Sequence, residues 1–570
     1  MIDILLKDNF LNGINGKIKN FKIVSERVET FTLLEFQVDM PILDSDINVY
    51  DSSSVRFSFE MDGTIHADAF YFEEYAFGSD LTLQNRTEQS PCFRIRVMPQ
   101  KAGISAFKLS LFINDELVDT LIGNIEILRS NKSSKILSVE PIRKQVFITK
   151  DSVCVPLIGG NLSYFQKIED INSYAKEITE KMKRLSQNGV NHIRFIDNTK
   201  NGVSLRESVV QMCQKTSALW DAIFKCAEEL GIYITFVLAD ASEIPMKDSP
   251  SFKNEMWHQD NGGFLTDATE FFEDEKSVNA FLEYVRYVIS RYGYSEQVLT
   301  WEIFNEIDRC GAMWRGKLDE IKSWLTKVIN YIKSTDSYGH TVSCSILIIN
   351  LMTAFHKLFD ILSYHQCDQS GHGMLIEMQN NSRRAFNKPV IISNSGVSGY
   401  RIKWSGGAFT SDLFDLNQNN WVGLMGGGAG TCLNKNSKEI YETNSEWSFK
   451  AISDFSKLIP FDDENMITVT EESIKTTHNR ISLMGYCGDD YAYLWLYDNF
   501  LWSVARENEI SFENEKILKL RVSDGKYAVK WIESLTGDLL YKEDITVLNQ
   551  KTTITMPKWS KDVAVAIRKI

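Results

Sequence analysis

Asn305 and Glu306 put an amide and a carboxylate side by side at the end of an apolar, β-prone run, Val298-Leu299-Thr300-Trp301-Glu302-Ile303-Phe304. A carboxyl group placed this way protonates a leaving oxygen if burial or a neighbouring negative charge raises its pKa. An amide beside it can donate to a substrate hydroxyl through a bond that strengthens in the transition state. Taken alone, the pair also reads as an ordinary strand ending in a solvated polar dipeptide. Other elements must bring reactive groups to the same place before the chemical reading wins.

Those elements lie between about residues 150 and 460. Residues 153–158 read as a strand followed by Gly159-Gly160-Asn161, 171–187 as a helix and 190–196 as a second strand. Leu219, Ala222, Ile223, Cys226, Ala227 and Leu230 fall on one helical face, and a strand at 232–238 then ends at Asp240. A long excursion carrying Trp257 and His258 follows. It leads to a helix with Val278, Phe281, Leu282, Val285, Val288 and Ile289 on one face, and then to the Asn-Glu strand. Further strands are expected at 341–347, 359–365, 389–393 and 421–425. Eight such units over roughly 300 residues predict an α/β protein centred on a TIM (β/α)8 barrel. An open doubly wound sheet uses similar units, but no GxGxxG or phosphate loop follows the first strand.

In a barrel the strand ends converge on one face, where active sites are built. They bring together Arg194, Asp240, Asn305, Glu306, His365 and the residues after Ile392. Arg194 is a candidate to hold a carboxylate, and His365 to bridge that carboxylate to substrate. Trp257, in the excursion, is a substrate-binding candidate. Each has a plainer reading too: Arg194 as a structural ion pair, His365 as a core histidine, Asp240 as a helix cap.

The flanks read as all-β. Phe93, Ile95 and Val97 alternate with Arg94 and Arg96, and Phe107, Leu109, Leu111 and Ile113 repeat the pattern. Period-two alternation with turn residues at short spacing predicts an antiparallel sandwich. Runs at 491–497, 517–522, 527–532, 552–556 and 563–567 predict a second one. The expected domains are therefore 1–135, 136–460 and 461–570.

A formal charge of −14 argues against a nucleic-acid or anionic-membrane partner, because phosphate binding needs a basic footprint. Neutral ligands stay open, and 12 Trp, 21 Tyr and 33 Phe suit sugar-stacking surfaces, although core packing accounts for most of them. The first residues lack a basic segment followed by a long apolar run, and no run is long enough to span a bilayer. Nine scattered cysteines without CxxC pairing read as reduced core thiols. These features point to the cytoplasm, with a processed secreted form left open. No cofactor or metal site is suggested, and nothing fixes an oligomeric state.

The segment from Arg286 to Asp308 resembles the fourth-strand region of the cellulase-like glycoside hydrolases of clan A, whose Asn-Glu pair supplies the acid/base. Asn191-His192-Ile193-Arg194-Phe195 is similar to the clan's second strand with its active-site Arg, and Leu362-Ser363-Tyr364-His365 to its sixth strand with its active-site His. The loop Asn261-Gly262-Gly263 before Phe271-Phe272 also fits. The run from Phe93 to Gly103 resembles the uncharacterised β-domain that precedes some of these barrels. The resemblance implies a protein acting on a β-linked poly- or oligosaccharide, with Glu306 as general acid/base.

Two positions depart from the family pattern. The clan's seventh strand ends on a nucleophilic Glu, and in the same register Lys388-Pro389-Val390-Ile391-Ile392-Ser393-Asn394 ends on an amide. An amide is a poor nucleophile and no general base, so the double-displacement route lacks its second carboxylate. After Gly426-Gly427-Gly428, the aromatic floor expected for a sugar ring appears as Leu433-Asn434, leaving Asn434 as a substrate-binding candidate. Three readings follow. One is a glycosidase that recruits Asp240, a carboxylate from another loop, or the substrate's own 2-acetamido group. Another is a pseudoglycosidase that binds glycan or organises an assembly without cleavage. The third is a structural protein in which the barrel is a spacer.

Overall fold

The computed structural model describes residues 9–43, 47–85, 90–141, 146–162, 170–197, 204–246, 249–367, 372–396, 413–434, 440–441, 443–470, 474–499, 510–549 and 553–570. At its centre, parallel strands alternate with helices. Gly159–Asn161, His192–Ile196, Tyr233–Val237, Val298–Glu302 and Thr341–Ser343 form a five-stranded parallel sheet in chain order. Ser345–Ile346, Leu362–Cys367 and Val390–Gly396 form a three-stranded one that continues it directly along the chain. Residues 429–434 then bond to both ends of the series. Ala429 and Leu433 donate N–H to Val390 O and Ile392 O, while Leu157 N–H reaches Ala429 O and Thr431 N–H reaches Leu157 O. Every buried strand position needs such a partner for its backbone, which is why a Gly-rich segment with little strand preference is held extended here.

This arrangement corrects two sequence expectations. Residues 421–425, expected as the last strand, end the helix Leu413–Met425. A five-residue apolar run is compatible with either element, and periodicity does not separate them. Gly427 then takes φ +92°, the left-handed conformation that commonly follows a helix end. The glycines read as a strand approach therefore terminate a helix, and the extended segment comes after them. The first parallel strand is likewise displaced. Cys154–Val155 joins a small antiparallel sheet with Phe147–Ile148 and Ser138–Val139, and Gly159–Asn161, expected to follow the strand, is the strand itself. A Cβ on Gly159 would lie 2.5 Å from His192 O, so the close pairing needs glycine.

At the amino end two four-stranded antiparallel sheets share one apolar core that includes Phe21, Phe36, Phe57, Phe59, Phe93 and Phe107. Arg94 and Arg96 alternate with apolar residues in Cys92–Val97, yet all six residues of the strand are buried. The polar face is covered by the central helices. Arg96 bonds Glu35 through Nε and donates from Nη1 to Asp221 Oδ1 at 2.6 Å. Arg291 Nη2 donates to Asp221 Oδ2 at 2.6 Å, and Arg94 Nη1 to Glu35 Oε1 at 2.5 Å. Burial would raise the carboxyl pKa values of Glu35 and Asp221, but the guanidinium groups outweigh it and hold both low.

At the carboxyl end a six-stranded antiparallel sheet packs its aromatic face on the helix Leu413–Met425. Trp421 stacks on Trp495 with centroids 6.4 Å apart, and Tyr486 Oη donates to Leu424 O at 2.5 Å. The strands expected at 517–522 and 552–556 shrink to Lys516–Ile517 paired with Ile554–Thr555. Among the described residues, no helix is long and apolar enough to cross a membrane.

The Arg96 bridge yields a stability prediction. Arg96→Ala leaves the buried Glu35 and the part-buried Asp221 each short of a partner and should cost about 3 kcal/mol. Arg96→Lys should recover only part of this, because an ammonium cannot reproduce the two-sided fork. Urea unfolding of the two variants measures both effects.

Candidate active site

The site is built outward from a buried charge. Arg194, on the second parallel strand, is fully buried. Its Nε donates to Glu302 Oε2 at 2.9 Å and its Nη2 to Glu302 Oε1 at 2.6 Å. Glu302 is the last residue of Val298–Glu302 and shares an inward face with Thr300, so the pair bonds across the intervening strand Tyr233–Val237. Arg194 Nη2 also donates to Asn305 Oδ1 at 2.7 Å. A guanidinium only donates, so the Asn305 atom facing it must be the oxygen. The other end of that amide, Nδ2, donates to Asp240 Oδ2 at 2.6 Å. The side chain of Asn305 is thereby fixed from both sides.

Asp240 has a second task. Its Oδ1 accepts from Ser242 N at 2.8 Å, capping the short turn Ala241–Glu243. The cap and the link to Asn305 coexist, and together they occupy both carboxylate oxygens.

Glu306 follows with φ +53° and ψ 50°, a left-handed conformation that an L-residue with a long side chain adopts at a cost of roughly 1–3 kcal/mol. Its N–H donates to Ser345 Oγ at 3.0 Å, which holds the turn to the next strand. The carboxylate is gripped at both oxygens. Oε1 accepts from His365 Nδ1 at 2.8 Å, and Oε2 from Arg309 Nη1 at 2.8 Å. The histidine proton must therefore lie on Nδ1; His365 Nε2 is buried and has no hydrogen-bond partner among the described residues. Burial pushes the Glu306 pKa up, but the bond and charge of His365, then those of Arg309, prevail and hold it at about 2. The raised value needed for a proton donor is not present in the free protein.

Asn394 lies beside His365, its register partner on the adjacent strand, and is buried. Asn434 pairs with Ser395 and is also buried. Asn161 Nδ2 ties this side together by donating to Ser393 O at 3.1 Å and to Asn434 O at 3.2 Å. Arg194, Asp240, Asn305, Glu306, His365, Asn394 and Asn434 thus all lie at or near the carboxyl ends of parallel strands or extended segments. Trp257 does not join them as an accessible surface. It is 1% exposed, packs edge-on to Phe271 and donates to Glu243 Oε2 at 3.4 Å, so it offers no open ring face.

Sequence reasoning missed Glu302, Ser345, Arg309 and Asn161. Glu302 left a signal, since a charged residue on the inward face of an apolar strand has to be paired. The others are recognisable only once the strands are side by side. Asp308, near Glu306, is also committed: its carboxylate accepts from Leu347 N at 2.9 Å and Ile348 N at 2.5 Å. Among the described residues, no group of three or more His, Cys, Asp or Glu side chains is placed to hold a metal ion.

No protein-family model matches the chain. A Bacteroides vulgatus protein taken to be a glycoside hydrolase aligns over 96% of this chain and 100% of its own, with TM-score 0.59 and 13% identity. A glycoside hydrolase family 5 structure, also from Bacteroides vulgatus, aligns over 76% of this chain and 94% of its own, with TM-score 0.51 and 14% identity. By sequence, mannan endo-1,4-beta-mannosidase A of Hypocrea jecorina is 32% identical over 137 residues, 23% of this chain. The chain spans between 14% and 30% of the length of the curated relatives it matches. At such identities the structural likeness is one of fold, and the fold is that of the cellulase-like glycoside hydrolases of clan A.

Proposed function

We propose that the protein is a glycosidase of this fold acting on a β-linked poly- or oligosaccharide. Its parallel strands are read as a closed (β/α)8 barrel over 136–460, flanked by β-sandwich domains over 1–135 and 461–570. The observation that carries the reading is the paired constellation at the strand ends. There Asn305 is fixed between Asp240 and Arg194, and Glu306 is held next to it by His365. Asn305 has the placement of a donor to a sugar hydroxyl, and Glu306 that of the acid/base. Names of the curated relatives put β-1,4-mannan first among substrates to test.

Glu306 carries its charge before substrate arrives, so the acid role needs a change on binding. Arg309 has a side chain that is 60% exposed, so displacing it gives up little packing. A sugar entering between Glu306 and Arg309 would break that ion pair and exclude water. Both effects raise the carboxyl pKa.

Asp240 has both oxygens engaged, and Asn394 stands in the nucleophile register, where it supplies no carboxylate. A 2-acetamido sugar could provide its own nucleophile, with Asn394 or Asn434 orienting the acetamide. Asn394 together with the ionised Glu306 also favours a second reading, a barrel that binds glycan without cleaving it.

Reducing-end release from β-mannan, β-glucan and chitin oligomers tests the main reading. Glu306→Gln should lower turnover by about 10²–10⁴-fold. Asn394→Glu should raise it and leave the product with the substrate's anomeric configuration, readable by proton NMR. No release by the wild type or by Asn394→Glu, with binding that survives Glu306→Gln, would establish the binding reading instead.

The charge on Glu306 gives a separate prediction. A carboxyl group with a lowered folded pKa adds stability above its unfolded value and loses it as pH falls through the folded one. Glu306 should therefore contribute its full share of stability above about pH 4.5 and lose it as pH falls from about 4.5 to 2. Carboxyl-carbon NMR should find it titrating near 2, and rising by more than one unit in His365→Gln combined with Arg309→Gln.

A further inference from the structure

Trp314 stands apart from the other tryptophans near the parallel strands. Trp257, Trp301 and Trp324 are at most 2% exposed, whereas Trp314 is 62% exposed. It ends the short helix Gly311–Trp314, which follows the Glu306–Arg309 turn almost directly.

That helix is fixed in place from two sides. Gly311 N–H donates to Ile244 O at 3.0 Å, and a Cβ on Gly311 would lie 2.2 Å from Pro245 O, so the helix is seated tightly on the loop after the third parallel strand. On the other side, in the turn just before the helix, the Asp308 carboxylate bonds Leu347 N and Ile348 N, which follow Ser345–Ile346. The backbone that carries Trp314 is therefore rigid, while its indole is left in water. Each neighbouring loop adds one exposed apolar side chain, Met246 at 53% and Ile348 at 44%. Single exposed apolar residues are common, but these three lie on backbone segments that the Gly311 and Asp308 bonds tie together around the helix next along the chain from Glu306.

The chemistry of Glu306 indicates which part of a substrate this surface meets. A general acid gives its proton to the leaving oxygen, so the chain continuing from it borders the leaving-group side of the cleaved bond. Sugar rings present flat C–H faces that pack on aromatic rings, and an indole offers the largest such surface at little entropic cost.

We propose that Trp314 is a sugar-stacking platform on the leaving-group side of the site. It takes a pyranose unit of a β-linked chain beyond the bond that faces Glu306. This rests on the reading of the site as one for β-linked glycans. It adds a length requirement: only a chain that reaches past the bond gains the contact.

The test uses the full chain in the Glu306→Gln background, so that ligand is not consumed. Mannohexaose, cellohexaose and chitohexaose, with their disaccharides, are titrated by calorimetry and by tryptophan fluorescence. For a hexasaccharide that binds, Trp314→Ala should weaken affinity tenfold or more and Trp314→Phe by less than about threefold, while disaccharide affinity stays unchanged. A fluorescence change on binding should disappear in Trp314→Phe. If the hexasaccharide binds Trp314→Ala as tightly as its parent, or if the loss is the same for disaccharide and hexasaccharide, the stacking role is overturned and the glycan reading stands. If no oligosaccharide binds either Glu306→Gln or the wild type, the glycan reading itself fails, and the stacking role with it.

Discussion

Arg194 sits fully buried among the parallel strands, and a guanidinium in that position has to be matched in both charge and hydrogen bonds. Glu302 supplies the charge with a two-pronged bond, and Asn305 accepts from the same Nη2. The match sets more than local stability. Once the fork faces Asn305, the amide has one orientation, and its nitrogen meets Asp240. Asp240 in turn caps the next loop. One buried cation therefore fixes the ends of three strands relative to one another. The ion pair is a poor source of net stability compared with apolar packing, and its value lies in this geometric restriction.

The same logic operates at the edge of the central region. Arg96 from the amino-terminal sheet and Arg291 from a central helix share Asp221, and Arg96 also holds Glu35. A charged face that would suit water is here covered by two helices. The junction thus resembles a domain interior with its charges paired. The carboxyl-terminal sheet docks differently, through aromatic contact of Trp421 with Trp495 and the bond from Tyr486 to Leu424 O.

Much of the central fold is legible in the sequence, because long amphipathic helices and apolar strand runs carry their own periodicity. The helix Ile171–Gln187 and the strand Val298–Glu302 follow from spacing alone. The errors share a cause. Residues 421–425 and 153–158 are short apolar runs whose identity depends on what packs against them, and Gly159–Asn161 becomes a strand only because His192–Ile196 pairs with it. Arg94 and Arg96 alternate as an exposed face would, and alternation records which side a residue takes, not what covers that side. Among the site candidates, Asn305, Glu306 and His365 stand out by type and position. The two-sided grip on Glu306 does not, because Arg309 and His365 meet it only through a turn and a distant strand. Trp257 shows the opposite failure: an aromatic residue in a loop looks available until burial is known.

The state of Glu306 connects these features to Asn394, the register partner of His365. In a two-carboxylate glycosidase, the charge of the second group helps keep a proton on the first. On the proposed reading, Asn394 removes that charge together with the nucleophile. Glu306 then feels the proton of His365 and the charge of Arg309 without opposition from across the site, and burial alone is too weak to restore a raised pKa. The amide at 394 and the ionised carboxylate at 306 are two aspects of one electrostatic arrangement. On that same reading the site regains an acid only when a ligand displaces Arg309 and dries the carboxylate, so the proposed chemistry is conditional on how completely a glycan fills it.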